Sequence, residues 1–144
     1  MTTLSPVPFA FGASLPEGRQ VSYTSPHDIE TTVARLKAEI AARDLWVLAE
    51  LNPQMLLAKG GYAIQPARQI FYFHPRYMAR LLGANADAIV EAPLKFVVLS
   101  PEGGPVSVRH PDIVAAFSGY AGMAPLAQEL AAVTGEIAKA ATAG

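Results

Sequence analysis

The sequence contains no cysteine, which excludes disulfides, thiolate metal ligation and a cysteine nucleophile. Charge is scarce: 16% of the 144 residues are Asp, Glu, Lys or Arg, and the net charge is −1. Lys and Arg are scattered, whereas binding a nucleic acid requires a basic stripe to neutralise phosphates, so no nucleic-acid partner is expected. No apolar run approaches the roughly 18 residues that suggest a membrane span, and no membrane partner is expected either. Residues 1–18 lack a basic start, and Pro6 and Pro8 interrupt their short apolar stretch, so they do not read as a signal peptide. The cytoplasm is the expected location, or the periplasm if a leader has been removed.

Motifs with diagnostic spacing are missing as well. There is no H-E-x-x-H, no EF-hand loop and no G-x-S-x-G elbow. Gly103-Gly104 lacks the Lys-Ser/Thr and helix start of a phosphate loop, so it reads as a hairpin turn.

What remains is 51% hydrophobic, enough for one core at this length. Residues 1–18 are rich in proline and small residues and read as an irregular arm; residues 19–144 read as a single α+β domain. Residues 20–24 alternate as a first strand. Ser25-Pro26-His27-Asp28 resembles a helix start, with Ser25 as cap and Asp28 in the capping-box position. Beyond it Ile29, Val33, Leu36 and Ile40 recur at helical spacing and predict one buried stripe.

Residues 45–51 (LWVLAEL) predict a buried strand, 54–59 a short helix stopped by Gly60-Gly61, and 68–73 (RQIFYF) a third strand ended by His74-Pro75. A helix through 78–82, stopped by Gly83, precedes a hairpin of 94–99 and 106–109. Pro111 opens another helical segment. The last helix carries Met123, Leu126, Leu130, Val133 and Ile137 on one seam. The order β-α-β-α-β-α-β-β-α-α, with a hairpin near its end, predicts a two-layer α+β sandwich with an antiparallel sheet.

Segments between Tyr23 and Asp112 resemble the family known as domain of unknown function 302. The resemblance rests on Ser25-Pro26 followed by the run Glu30-Thr31-Thr32-Val33-Ala34-Arg35-Leu36-Lys37. It also rests on Gly61 and Pro66, and on Glu91-Ala92-Pro93-Leu94-Lys95 leading into a strand. It implies a helix-backed antiparallel sheet of the TBP-like type and, for some members, a homodimer; it implies no activity. This chain departs from the family pattern in telling places. Asn52-Pro53 stands where aspartate and histidine usually end the second strand. Phe73-His74 replaces glycine-asparagine in a turn, Met78-Ala79 replaces glycine-threonine, and Val108-Arg109-His110-Pro111 replaces tyrosine-asparagine-aspartate-proline.

Chemistry therefore centres on His74 and His110, each preceding a proline at a strand end. Such a histidine can ligate a metal or haem iron or move protons near neutral pH; it can equally satisfy a backbone group in a turn. His27, in a helical first turn, reads as solvated. Glu50 reads as solvent-facing or paired with Lys95 or an arginine. Trp46 and Phe96 read as core. In Phe71-Tyr72-Phe73 alternation sends neighbours to opposite faces, so at least one aromatic leaves the main core for a partner, a helix layer or a ligand.

The expectation is a small homodimeric ligand-binding module, with His74, Tyr72, Phe73, Met78, Asn52, Arg109 and Lys95 as ligand contacts. His74 and His110 are candidate metal ligands, and haem is a possible cofactor, with Arg68, Arg76 or Arg80 near its propionates. The alternatives are an enzyme with a histidine general base, helped by Asn52 or Arg109, and a protein-interaction domain using the last helix.

Overall fold

A computed structural model describes residues 3–144. Alternation and stripe positions show why each element forms where it does. The chain runs β1 (Ser5–Pro6), β2 (Gln20–Ser25), α1 (Ile29–Ala42), β3 (Trp46–Leu51), α2 (Pro53–Lys59), β4 (Tyr62–Ala63), β5 (Ala67–Phe73) and α3 (Pro75–Asn85). A 3₁₀ turn (Ala86–Glu91) then leads to β6 (Leu94–Leu99), β7 (Val106–Pro111), α4 (Ile113–Phe117) and α5 (Ala124–Ala141). The main sheet has five strands in the order β2-β7-β6-β5-β3, with every neighbouring pair antiparallel.

In β6 the buried residues alternate as Leu94, Phe96 and Val98, and their neighbours in β5 and β7 are Ile70, Tyr72 and Val108. This is the core face. Helices α1 and α5 cover it: Glu50 of β3 pairs with Lys37 of α1, and the Tyr72 hydroxyl lies 2.6 Å from Thr134 Oγ1 of α5. Tyr72 and Phe96 stack with ring centroids 4.7 Å apart, anchoring the middle of the sheet. The α1 stripe is buried at Val33, Leu36 and Ile40, with Ile29 half-buried at its start. Met123, the N-cap of α5, is buried with Leu126, Leu130 and Ile137 of the helix, but the seam takes in Thr134 where Val133 was expected. The last carbonyls of α5 are held by α1: Arg35 donates to Ala141 O at 2.8 Å and Ala140 O at 2.9 Å, placing a cation at the negative end of the helix.

Several boundaries differ from expectation for local reasons. Asp28, not Ser25, caps α1, its Oδ1 accepting the Thr31 N–H at 2.7 Å. Ser25 still belongs to β2, and its hydroxyl lies 2.7 Å from Thr32 Oγ1, tying strand to helix. Helix α3 runs through Gly83 to Asn85, whose side chain accepts the Asp87 N–H and so caps the turn beyond. The glycine keeps a negative φ, so nothing in its backbone stops the helix. In the N-terminal arm Ser5–Pro6 pairs in parallel with β4, and Phe11 lies against Arg109 on the sheet face away from the helices.

The largest difference concerns β3. Expected to be buried, it is an edge strand exposed along its whole length, with Trp46 52%, Leu48 50% and Leu51 41% accessible. An apolar run reports β propensity and not the strand's place in the order, which long-range pairing decides.

Candidate functional site

His74 ends β5 and caps α3. Pro75 confines it to extended backbone, and φ −150°, ψ 144° show that conformation. Its Nδ1 accepts the Arg76 N–H at 3.0 Å, so in the neutral ring the proton sits on Nε2. Among the described residues Nε2 has no protein partner. The ring meets Trp46 edge-on, with centroids 5.0 Å apart.

These two residues wall an apolar cleft of about 460 Å³ that also involves Leu48, Phe73, Met78 and Leu82. Its sides come from three places. The β3 edge supplies Trp46 and Leu48, the end of β5 supplies Phe73, and one side of α3 supplies Met78 and Leu82. A β-bulge between Val47 and Ala49 interrupts the pairing of β3 at Leu48, letting that side chain reach the cleft. His74 and the indole N–H of Trp46 supply the polar groups in an otherwise apolar lining. That is the usual make-up of a small-molecule site: an apolar body with few placed polar atoms.

The remaining expected contacts lie elsewhere, and the single ligand site read from the sequence separates into parts. His74, Phe73 and Met78 come together in the cleft. Tyr72 does not join them, because alternation turns it into the core, where it is fully buried. Desolvation there pushes its phenol far above the usual range. Asn52 caps α2, accepting the Met55 N–H at 3.1 Å, and also accepts from Arg68 at 3.0 Å. Lys95 and Arg109 line a separate cavity on the open face of the sheet.

His110 sits on the core face of β7 beside Phe96 and Tyr23. Its Nδ1 lies 2.7 Å from the Pro111 carbonyl, which can only accept, so Nδ1 donates and Nε2 is left to accept from the Tyr23 hydroxyl at 3.2 Å. Both nitrogens are spent on the protein, and burial holds the ring below the usual histidine range. His110 is therefore a structural residue with no lone pair for a metal, and it lines no cavity with His74. Among the described residues no group of three or more His, Asp or Glu could hold a metal ion.

Of the cations proposed near propionates, Arg68 reaches Asn52 and Glu30, Arg76 reaches Asp44, and Arg80 pairs with Glu129 at 2.8 Å. Glu50 is paired with Lys37 rather than with Lys95 or an arginine. The residue that sequence reasoning missed is Trp46: a large apolar side chain in an apolar strand reads as core, and only the edge position of β3 exposes it.

A small antiparallel sheet backed by helices on one face, with an apolar cleft at its edge, defines a two-layer α+β domain. Comparison places it more narrowly. The model of the family described as Domain of unknown function DUF302 matches residues 21–143, and the chain belongs to that family. The fold is similar to the crystal structure of an uncharacterised conserved protein, DUF302, from Bacillus stearothermophilus. The likeness has a TM-score of 0.70 at 20% identity and covers 85% of this chain and 94% of that one. No curated protein matches the sequence. Among the described residues no helix is long and apolar enough to cross a membrane.

Proposed function

We propose that this protein is a small homodimeric ligand-binding module whose ligand occupies the Trp46–His74 cleft. The observation that carries the proposal is the pairing of an apolar cleft with the unpartnered Nε2–H of His74. Because the Arg76 N–H fixes the tautomer, His74 offers the cleft a proton and not a lone pair. The ligand that fits is apolar or planar and carries an acceptor such as a carbonyl oxygen. Haem iron or a metal ion would need the Nε2 lone pair, hence a proton on Nδ1 facing the Arg76 N–H, and the helix cap would break. A general base facing the cleft meets the same obstacle.

Trp46 is the sole tryptophan of the chain, so its fluorescence reports this cleft alone. Acetophenone, which has a ring and an acceptor, should perturb the emission at lower concentration than ethylbenzene, which lacks the acceptor. In His74→Asn the cap is kept, since asparagine also caps helices, and the difference between the two compounds should vanish. A freshly purified protein with a Soret band lost in the same variant would establish haem instead. Absence of any saturable change with either compound would remove the cleft as a binding site.

In this proposal the second copy pairs at β3. This edge presents Val47 and Leu51 as well as Trp46 and Leu48, and Met55 and Leu56 of α2 are also exposed. Unprotected apolar edges invite strand pairing, and a specific dimer usually buries upwards of about 1,000 Å² in total. Antiparallel pairing of β3 with its copy would extend the sheet across a two-fold axis and close the open side of each cleft. Sedimentation should show a dimer at micromolar concentration, and Leu51→Lys should shift it to monomer; a monomeric wild type would refute the pairing.

A further inference from the structure

The face of the main sheet turned away from α1 and α5 carries a second, chemically different cavity of about 310 Å³. Val97 and Leu99 of β6 form its floor, and Arg19, Lys95 and Arg109 stand around it. Register explains the convergence: Val97 lies directly opposite Arg109, and Lys95 is two positions along β6 on the same face. Among the described residues none of these three cations enters an ion pair, although most other arginines here do.

Arg109 is held rather than loose. Its Nε donates to Ser107 Oγ at 3.2 Å, its Nη1 to Gln20 Oε1 at 3.5 Å, and its guanidinium lies 5.3 Å from the centre of the Phe11 ring. Two acids that line a cavity with Arg19 are engaged elsewhere. Glu91 and Asp112 flank Arg19 on its other side, but Glu91 accepts the Tyr120 hydroxyl at 2.9 Å and Asp112 caps α4 through the Ala115 N–H. His110 borders the cavity with both ring nitrogens already bonded.

Like charges gathered on a half-buried apolar floor are unfavourable unless an anion joins them. We infer that this cavity binds a small organic carboxylate: the carboxylate between Arg109 and Lys95, its short apolar body on Val97 and Leu99. The volume lies at the lower end of the small-molecule range, which limits the body to a short chain or one ring. The site is independent of the Trp46–His74 cleft, because the two share no lining residue.

Amide shifts in a ¹⁵N-labelled sample titrated with octanoate test the proposal, with octanol and inorganic phosphate as comparisons. Octanoate should move the amides of Lys95, Val97 and Arg109 saturably and bind more tightly than either comparison. Arg109→Gln should weaken it by about tenfold or more, the effect of losing one charge-assisted hydrogen bond. Unchanged octanoate affinity in Arg109→Gln would overturn the assignment, as would shifts confined to Trp46 and Met78. Phosphate binding more tightly than octanoate would overturn the carboxylate class. Both Arg109→Gln and Lys95→Gln are surface changes on strands, and retained wild-type chemical shifts elsewhere confirm that they fold.

Discussion

The hydroxyl pair between Tyr72 and Thr134 is a fully buried polar tie between β5 and α5, and its energetic weight can be worked out. Both residues are fully buried, their oxygens are 2.6 Å apart, and among the described residues no buried side-chain N or O atom lacks a hydrogen-bond partner. Tyr72→Phe keeps the ring and its stack on Phe96 but orphans the Thr134 hydroxyl. Leaving a buried polar group without its partner costs about 1–3 kcal/mol. Thr134→Val orphans the phenol instead and should cost a similar amount. The double variant orphans neither, so its loss should be well below the sum of the singles, with a coupling of about 0.5–3 kcal/mol. In urea, with a slope of about 2 kcal/mol/M, each single variant should lower the midpoint by about 0.5–1.5 M. Thr134 has one escape, since a helical threonine can turn its hydroxyl to the carbonyl four residues before it. A neutral Tyr72→Phe, or strictly additive singles, would show that it does so and that the pair contributes nothing.

Other outcomes can be checked with the same equipment. Leu36→Ala, at a fully buried position of α1, should cost about 2–5 kcal/mol by urea unfolding, and a loss below 1 kcal/mol would mean the stripe is not core. His110 is held below its ordinary pKa by burial, so protonation favours the unfolded chain: its contribution is complete above about pH 6.5 and is lost as pH falls toward the lower folded value. His110→Gln should flatten that acid slope in a stability–pH series; an unchanged slope would assign it to other groups. Gly61 has φ +93°, so Gly61→Ala should lower the thermal midpoint through backbone strain alone, its Cβ position being open.

Most of the fold was legible because local pattern and tertiary role agree. The α1 stripe, the β6 alternation and the glycine-rich β6–β7 turn each admit one arrangement, and the residues obey it. Where pattern and role part company, the sequence misleads. LWVLAEL is as apolar as a central strand, yet β3 pairs on one side only. The site was half legible for the same reason. A His-Pro step at a strand end marks a rim position, and His74 lies between β5 and α3 in the cleft lining. Alternation across Phe71, Tyr72 and Phe73 did predict opposite faces, but not that Tyr72 would be the one sent inward to Thr134. Lys95 and Arg109 share a cavity through cross-strand register, a relation that no single segment carries.

The pairing of β2 with β7 has a consequence for synthesis. Among the described residues β2 forms hydrogen bonds with no other strand, and Tyr23 must find His110 across a separation of 87 residues. At about 5–20 residues per second the ribosome delivers that partner about 4–17 s after β2 itself has been made. Helix α1 waits longer still for α5, whose last turn it caps through Arg35 across 105–106 residues. The β3–β5 pair is complete well before either, so assembly on the ribosome can begin at the β3 edge, and the first-made strand of the main sheet is among the last to dock. β2 suits that delay, since Ser22 and Thr24 alternate with its apolar residues and keep the waiting strand polar on one side.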